Sequence, residues 1–131
     1  MWTKYIQSKV FSRVKQEGLD ALATKYPDLY YTTEEESLAE PKFPTCYVHE
    51  IPGTEQGGDL EGTTINAVYT AIQIDVTDNI SKARVNDVLD KATDTMKSMR
   101  FRVTTPEIKT SQGVHKGTAR YERIIAQGDI Y

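Results

Sequence analysis

His49 and Glu50 stand side by side, and Tyr47 lies two positions before the histidine. Imidazole, carboxylate and phenol can move protons. Acid–base chemistry would centre on this trio if the chain were a small enzyme or a ligand-binding domain. Cys46 is three positions before His49. A thiol nucleophile needs a base within hydrogen-bond reach, yet strand residues three apart point to opposite faces. Cys46 therefore reads as a small buried hydrophobe. The second histidine, His115, stands in a polar loop far along the chain. Neither H-E-x-x-H, C-x-x-C nor an EF-hand pattern occurs, so no metal is expected.

Other local matches read as structure. Ser12-Arg13-Val14-Lys15 has the S-x-x-K spacing, but it lies on an amphipathic helical stretch without the accompanying S-D-N or K-T-G elements. Gly57-Gly58 lacks a following Gly-Lys-Ser/Thr and is no phosphate loop. Asn79-Ile80-Ser81 fits a glycosylation sequon, although helix capping uses the same residue types. Asp75, Asp78 and Asp87 fall on a strand, a cap and a helix face, and read as surface and cap residues. No catalytic set and no cofactor site emerges.

The elements around these residues bound the fold. A chain of 131 residues is one domain, long enough to bury a core without staples. One cysteine excludes an intramolecular disulfide framework. No apolar run approaches the roughly 18 residues of a membrane span, and no signal h-region opens the chain, so no membrane role is expected. Charge is uneven under a net -3. Residues 1–16 carry Lys4, Lys9, Arg13 and Lys15 and no acid, whereas residues 17–61 carry eleven acids against two lysines. No Lys/Arg stripe of the kind that binds nucleic acid is present. The acidic segment suits a solvated face or a basic partner surface.

Residues 2–26 form an expected first helix, with Trp2, Ile6, Val10, Val14 and Leu22 near helical spacing. Gly18 is a candidate break, and Tyr26-Pro27 an expected end. Leu29–Thr33 and Thr45–Ile51 read as strands. Residues 52–63 are an acidic, Gly-rich loop expected to be mobile. Thr64–Thr77 is the strongest strand. Ile65, Ala67, Tyr69 and Ala71 alternate on one parity, and Ile72, Ile74 and Val76 on the other. That phase change predicts a bulge, or a strand whose first half projects beyond its own domain. Residues 81–99 carry Val85, Val88, Leu89, Ala92, Met96 and Met99, a helical stripe with Asp87 and Lys91 paired on the opposite face. Phe101–Ile108 is a strand interrupted by Pro106, and Thr118–Ala126 is the last strand. The order α-β-β-β-α-β-β implies an α+β domain over residues 1–131. Its sheet is mixed and mostly antiparallel, with two helices packed on one face.

Several stretches together carry a resemblance. A basic N-terminal helix is followed by FPTCYVHEI. After the acidic loop, NAVYTAIQIDVTDN runs into the helix SKARVNDVLDKATDTMKSM, and FRVTTPEIKT and ARYERIIAQG close the chain. In pattern and element order, over nearly the whole length, this resembles the tail terminator (tail completion) proteins of long-tailed bacteriophages. The resemblance implies a structural virion protein without enzymatic activity or cofactor, located in the tail or neck and in the host cytoplasm during assembly. It implies a hexameric ring of identical subunits that caps the tail tube protein and stops polymerisation. The other face would meet a head-completion or connector protein, and genomic DNA would pass through the lumen without sequence-specific binding. Another neck or head-closure protein is the alternative within the same class. For a ring, the candidate interface residues are Lys4, Lys9, Arg13 and Lys15 on the first helix, Glu55, Asp59, Leu60 and Glu61 in the loop, and Ile65, Ala67 and Tyr69 on the long strand.

Overall fold

The computed structural model describes residues 2–34, 42–51, 55–56, 67–104, 106–126, 128–129 and 131. The clearest periodicity in the sequence becomes helix α2, Lys82–Ser98. Val85, Val88, Leu89, Ala92 and Met96, with Met99 just beyond the helix, are each 1% exposed or less. Ser81 is the N-cap, and its hydroxyl accepts from the Arg84 N–H at 3.3 Å. Asp78 closes the turn before it, accepting from the N–H groups of Ile80 and Ser81 at 3.0 Å each. These bonds satisfy donors that would otherwise be orphaned at the start of the helix. Asp78 is fully buried, and Arg84 Nε lies 3.3 Å from its Oδ1. That contact is close enough for charge attraction but is not aligned as a hydrogen bond.

Helix α1 spans Ile6–Leu22 and is shorter than the expected 2–26. Residues Trp2–Tyr5 wind as a 3₁₀ turn instead. At the other end, Ala23 and Tyr26 donate their N–H groups to the carbonyls of Leu19 and Leu22. The helix closes before Pro27 because Tyr26, 7% exposed, turns inward to reach α2. Gly18 does not break the helix. It is a buried position where the missing side chain leaves room for Tyr31.

Among the described residues, seven strands form one sheet: β1 (Tyr30–Thr32), β2 (Thr45–Ile51), β3 (Glu55–Gln56), β4 (Ala67–Asp78), β5 (Arg102–Val103), β6 (Glu107–Ser111) and β7 (Val114–Ala126). The order is β1-β2-β4-β7-β5, with β3 also on β4 and β6 also on β7. Only β1–β2 is parallel. The expected α+β architecture therefore holds, with both helices on one face. Three local readings change. Glu55–Gln56, within the expected loop, pairs with Val68 and Ala67. The single strand over Phe101–Ile108 is two, because β5 and β6 each pair with a different part of β7. The last strand starts earlier, at Val114, after a hairpin turn whose residues Gln112 and Gly113 both have positive φ, the two-residue turn that matches strand twist. His115 is consequently a strand residue, not a loop residue.

The phase change in β4 is not a bulge. Ala67–Asp78 pairs with Ala126–His115 at every position without a slip. Even-numbered residues face the helices throughout, and the buried Thr70 extends Ile72, Ile74 and Val76 in that row. Tyr69 and Ala71 belong to the opposite, uncovered face. From Ala67 onward the strand does not project, since β7 pairs with one edge throughout and β3 with the other at Ala67 and Val68; residues 64–66 of the expected strand lie outside the described residues. A polar residue on the core row disguised an ordinary two-sided strand. The core joins Cys46 and Val48 of β2, this β4 row, Ala119, Tyr121 and Ile125 of β7, and the buried sides of both helices. Each fully buried Ile, Leu or Val stabilises by roughly 1.5–3 kcal/mol. The Tyr121 hydroxyl meets Thr93 Oγ1 at 2.7 Å, and burial pushes its pKa up to about 12. Among the described residues, no helix is long and apolar enough to cross a membrane.

Candidate functional site

Strand alternation separates the acid–base trio. Tyr47 and His49 project from the uncovered face of β2, their rings stacked with centroids 4.3 Å apart. Glu50 has the opposite parity and lies on the helix side, half-buried, where desolvation raises its pKa. His49 instead neighbours Asp75, which sits opposite Tyr47 on β4. Asp75 is 6% exposed, a correction to its reading as a surface residue. Thr118 donates its hydroxyl to Asp75 Oδ1 at 2.7 Å, and Gln73 donates from Nε2 at 3.3 Å to either carboxylate oxygen. His49 Nδ1 is 4.0 Å from Asp75 Oδ2 and makes no hydrogen bond. Cross-strand neighbours thus shelter and bond the carboxylate within the sheet surface. Cys46 is fully buried among apolar groups, which push its thiol pKa up, and it is no nucleophile candidate. Among the described residues, no group of three or more His, Cys, Asp or Glu side chains could hold a metal.

Asp87 also departs from expectation. Rather than pairing with Lys91 on its own helix, it accepts from Lys25 Nζ at 2.7 Å and from the Tyr26 hydroxyl. Those bonds lower its pKa. Arg84 lies over the Tyr26 ring, 5.0 Å from its centroid. The segment after α1 is thereby tied to α2.

The basic residues of the first helix do not form one patch. Lys9 and Arg13 line a groove of about 550 Å³ with Tyr5, Ser8, Ser12, Asp129 and Tyr131. Lys4 and Lys15 lie outside it, over the rings of Tyr5 and Phe11. The groove charges are met locally: Arg13 pairs with Glu17 at 2.9 Å and donates to Ser98, and Lys9 lies over Tyr131. Of the other interface candidates, Asp59, Leu60, Glu61 and Ile65 lie outside the described residues. Glu55 is placed by its backbone pairing with Val68. Ala67 is paired on both edges, with Gln56 and Ala126, and Tyr69 is paired with Ile124 on the β7 edge; the Tyr69 side chain lies on the uncovered face.

Sequence inspection missed a second groove. Tyr69, Arg100, Arg102, Glu122, Arg123 and Ile124 line about 360 Å³ at the Ala67 end of the uncovered face. Arg102 is opposite Glu122 through β5–β7 pairing, and Tyr69 is opposite Ile124 through β4–β7 pairing. Arg120 lies one step along the same face, near enough to act electrostatically on Tyr69 together with Arg102. The Glu122 carboxylate beside Tyr69 raises its phenol pKa. Arg123 is spent internally, donating to the Met99 carbonyl at 2.8 Å and to Asp129 at 3.0 Å. Arg100, Arg102 and Arg120 are exposed and in ion-pair contact with no carboxylate among the described residues. Ile124 is 57% exposed beside them. Scattered through the sequence, these residues give no signal until the strands pair.

No protein-family model matches this chain, and no curated protein matches it. Among solved structures, it is similar to a chain from the virion of a native gene transfer agent (GTA) particle. The two share 15% identity over 90% of this chain and 96% of that one, with a TM-score of 0.50. A second solved chain aligns over 96% of this chain and 99% of its own length, at 9% identity and a TM-score of 0.46. At 15% identity the likeness to the GTA virion chain is one of fold.

Proposed function

We propose that this chain is a structural protein of a phage-like virion, and within that class a tail terminator. The observation that carries the reading is the end-to-end likeness of its fold to a chain of the GTA virion particle. The sequence resemblance to tail terminators narrows it. Six subunits close a ring on the end of the tail tube and stop its growth. The other face of the ring receives the head connector, and genomic DNA passes through the lumen. The chain acts in the tail or neck of the particle and assembles in the host cytoplasm. A net charge of -3 suits a lumen that conducts DNA without holding it. The split of His49 and Glu50 between opposite sheet faces also favours a structural over a catalytic role.

The test is the solution mass of the purified protein, followed by electron microscopy with tail tubes added. Rings of six seated on tube ends support the reading. Rings that ignore tubes but bind connectors make the chain a neck or head-closure protein. A monomer indifferent to both overturns the ring, and directs attention to His49 and Asp75.

A further inference from the structure

We infer that the groove lined by Tyr69, Arg100, Arg102 and Ile124, with Arg120 beside it on the same face, seats the acidic Glu55–Glu61 stretch of a second copy of this chain. The inference rests on the ring reading and names the contact that closes it.

Charge complementarity selects the occupant. The groove holds two exposed guanidinium groups, Arg100 and Arg102, with a third, Arg120, close by on the same face, against one carboxylate, Glu122, which faces Tyr69. The chain as a whole is acidic, and its acids concentrate in residues 17–61. Glu55, Asp59 and Glu61 fall within seven positions with no base among them. In the other groove, Arg13 is paired with Glu17 and Lys9 lies over the Tyr131 ring, so that groove offers less to an acidic partner. Arginine and tyrosine beside an exposed aliphatic residue are also the side chains that anchor interfaces, because guanidinium forks pair carboxylates while the ring and Ile124 lose water.

The contact is heterologous: a groove on one subunit meets a different surface on the next, the geometry that closes rings. Gln56 pairs with Ala67, at the same end of β4 as Tyr69.

The backbone of Arg100 supports a role for its side chain. Its φ of +68 is left-handed, at the position just past a helix end where glycine is least strained. Arginine there carries a conformational cost, and among the described residues its side chain makes no ion pair that offsets it.

A charge exchange tests the inference. One variant carries Arg100→Glu, Arg102→Glu and Arg120→Glu. A second carries Glu55→Lys, Asp59→Lys and Glu61→Lys. Circular dichroism checks that each is folded, and oligomer mass is read in solution and on tube ends. Each variant alone opposes like charges, and its association is expected to weaken by about tenfold or more. Mixed one to one, the two should assemble in alternation, since reversed loop then meets reversed groove and native meets native. Variants that each assemble like wild type overturn the groove and leave the ring reading standing. Weakened variants that do not rescue each other overturn the contact between copies, and a loop folded onto its own groove gives this result. Full assembly with loss of duplex-oligonucleotide binding makes the groove a nucleic-acid contact and also overturns the inference. Wild type that neither associates nor decorates tubes overturns the ring reading and this inference with it.

Discussion

A side chain at Gly18 would place its Cβ 1.8 Å from the Tyr31 hydroxyl oxygen and 2.6 Å from Cζ of the same ring. Helix α1 and strand β1 therefore meet through an absent side chain. Tyr31 is 4% exposed and cannot swing aside without opening the core. Gly18→Ala gains up to about 1 kcal/mol of helix propensity. It also forces an overpacking cost of roughly 1–3 kcal/mol or more. The second effect wins, and urea denaturation should show net destabilisation.

The Tyr31 hydroxyl is buried, makes no hydrogen bond among the described residues, and burial raises its pKa. Tyr31→Phe removes an unsatisfied polar group and should stabilise the fold by about 1 kcal/mol. Combined with Gly18→Ala it should recover part of the lost stability but not all, because Cζ remains in the way. A double-mutant cycle by denaturant titration checks both statements.

Asp87 has a folded pKa below its ordinary value, set by the hydrogen bonds from Lys25 and Tyr26. Its contribution is present above the ordinary aspartate range and is lost as pH falls through the folded value. The pair is well exposed, so Asp87→Asn should cost less than about 1 kcal/mol at neutral pH. The difference between wild type and variant should vanish in acid.

Glu50 shifts the other way, raised by desolvation on the helix side of β2. Its folded state binds the proton more tightly than the unfolded chain does. Stability from this group is therefore full below the ordinary glutamate range and is lost as pH rises through the raised value. Glu50→Gln should be more stable than wild type at neutral pH and match it near pH 4. Thermal melts across that range read the sign directly.

Arg100→Gly relaxes a left-handed residue and should stabilise the monomer by roughly 0.5–1 kcal/mol. The same change removes one guanidinium from the groove and should weaken self-association. Denaturation and light scattering on one preparation separate the two effects, and equal or stronger association would argue against a contact through Arg100.

The sequence alone was enough for the elements that depend on near neighbours. The apolar row of α2 repeats at intervals of a few residues, and cap chemistry stands just before it, where Asp78, Asn79 and Ser81 were all candidates and Ser81 is the N-cap. Each is a local pattern, and the structure follows it. Length, charge distribution and element order likewise led to an α+β domain with helices on one face. Only the tertiary structure decided what depends on distant residues meeting. Gly18 looked like a helix break until Tyr31 arrived from β1 to fill its space. Tyr69 and Ala71 looked like a change of phase until Thr70 proved to be a core residue and β7 paired without a slip. Asp87 exchanged a neighbour four positions away for Lys25 and Tyr26. Arg100, Arg102 and Arg120 became one surface because β5 and β7 are hydrogen-bonded side by side. Periodicity records which way a residue points, but register and packing set what it meets, and these come from long-range pairing that no short window of sequence contains.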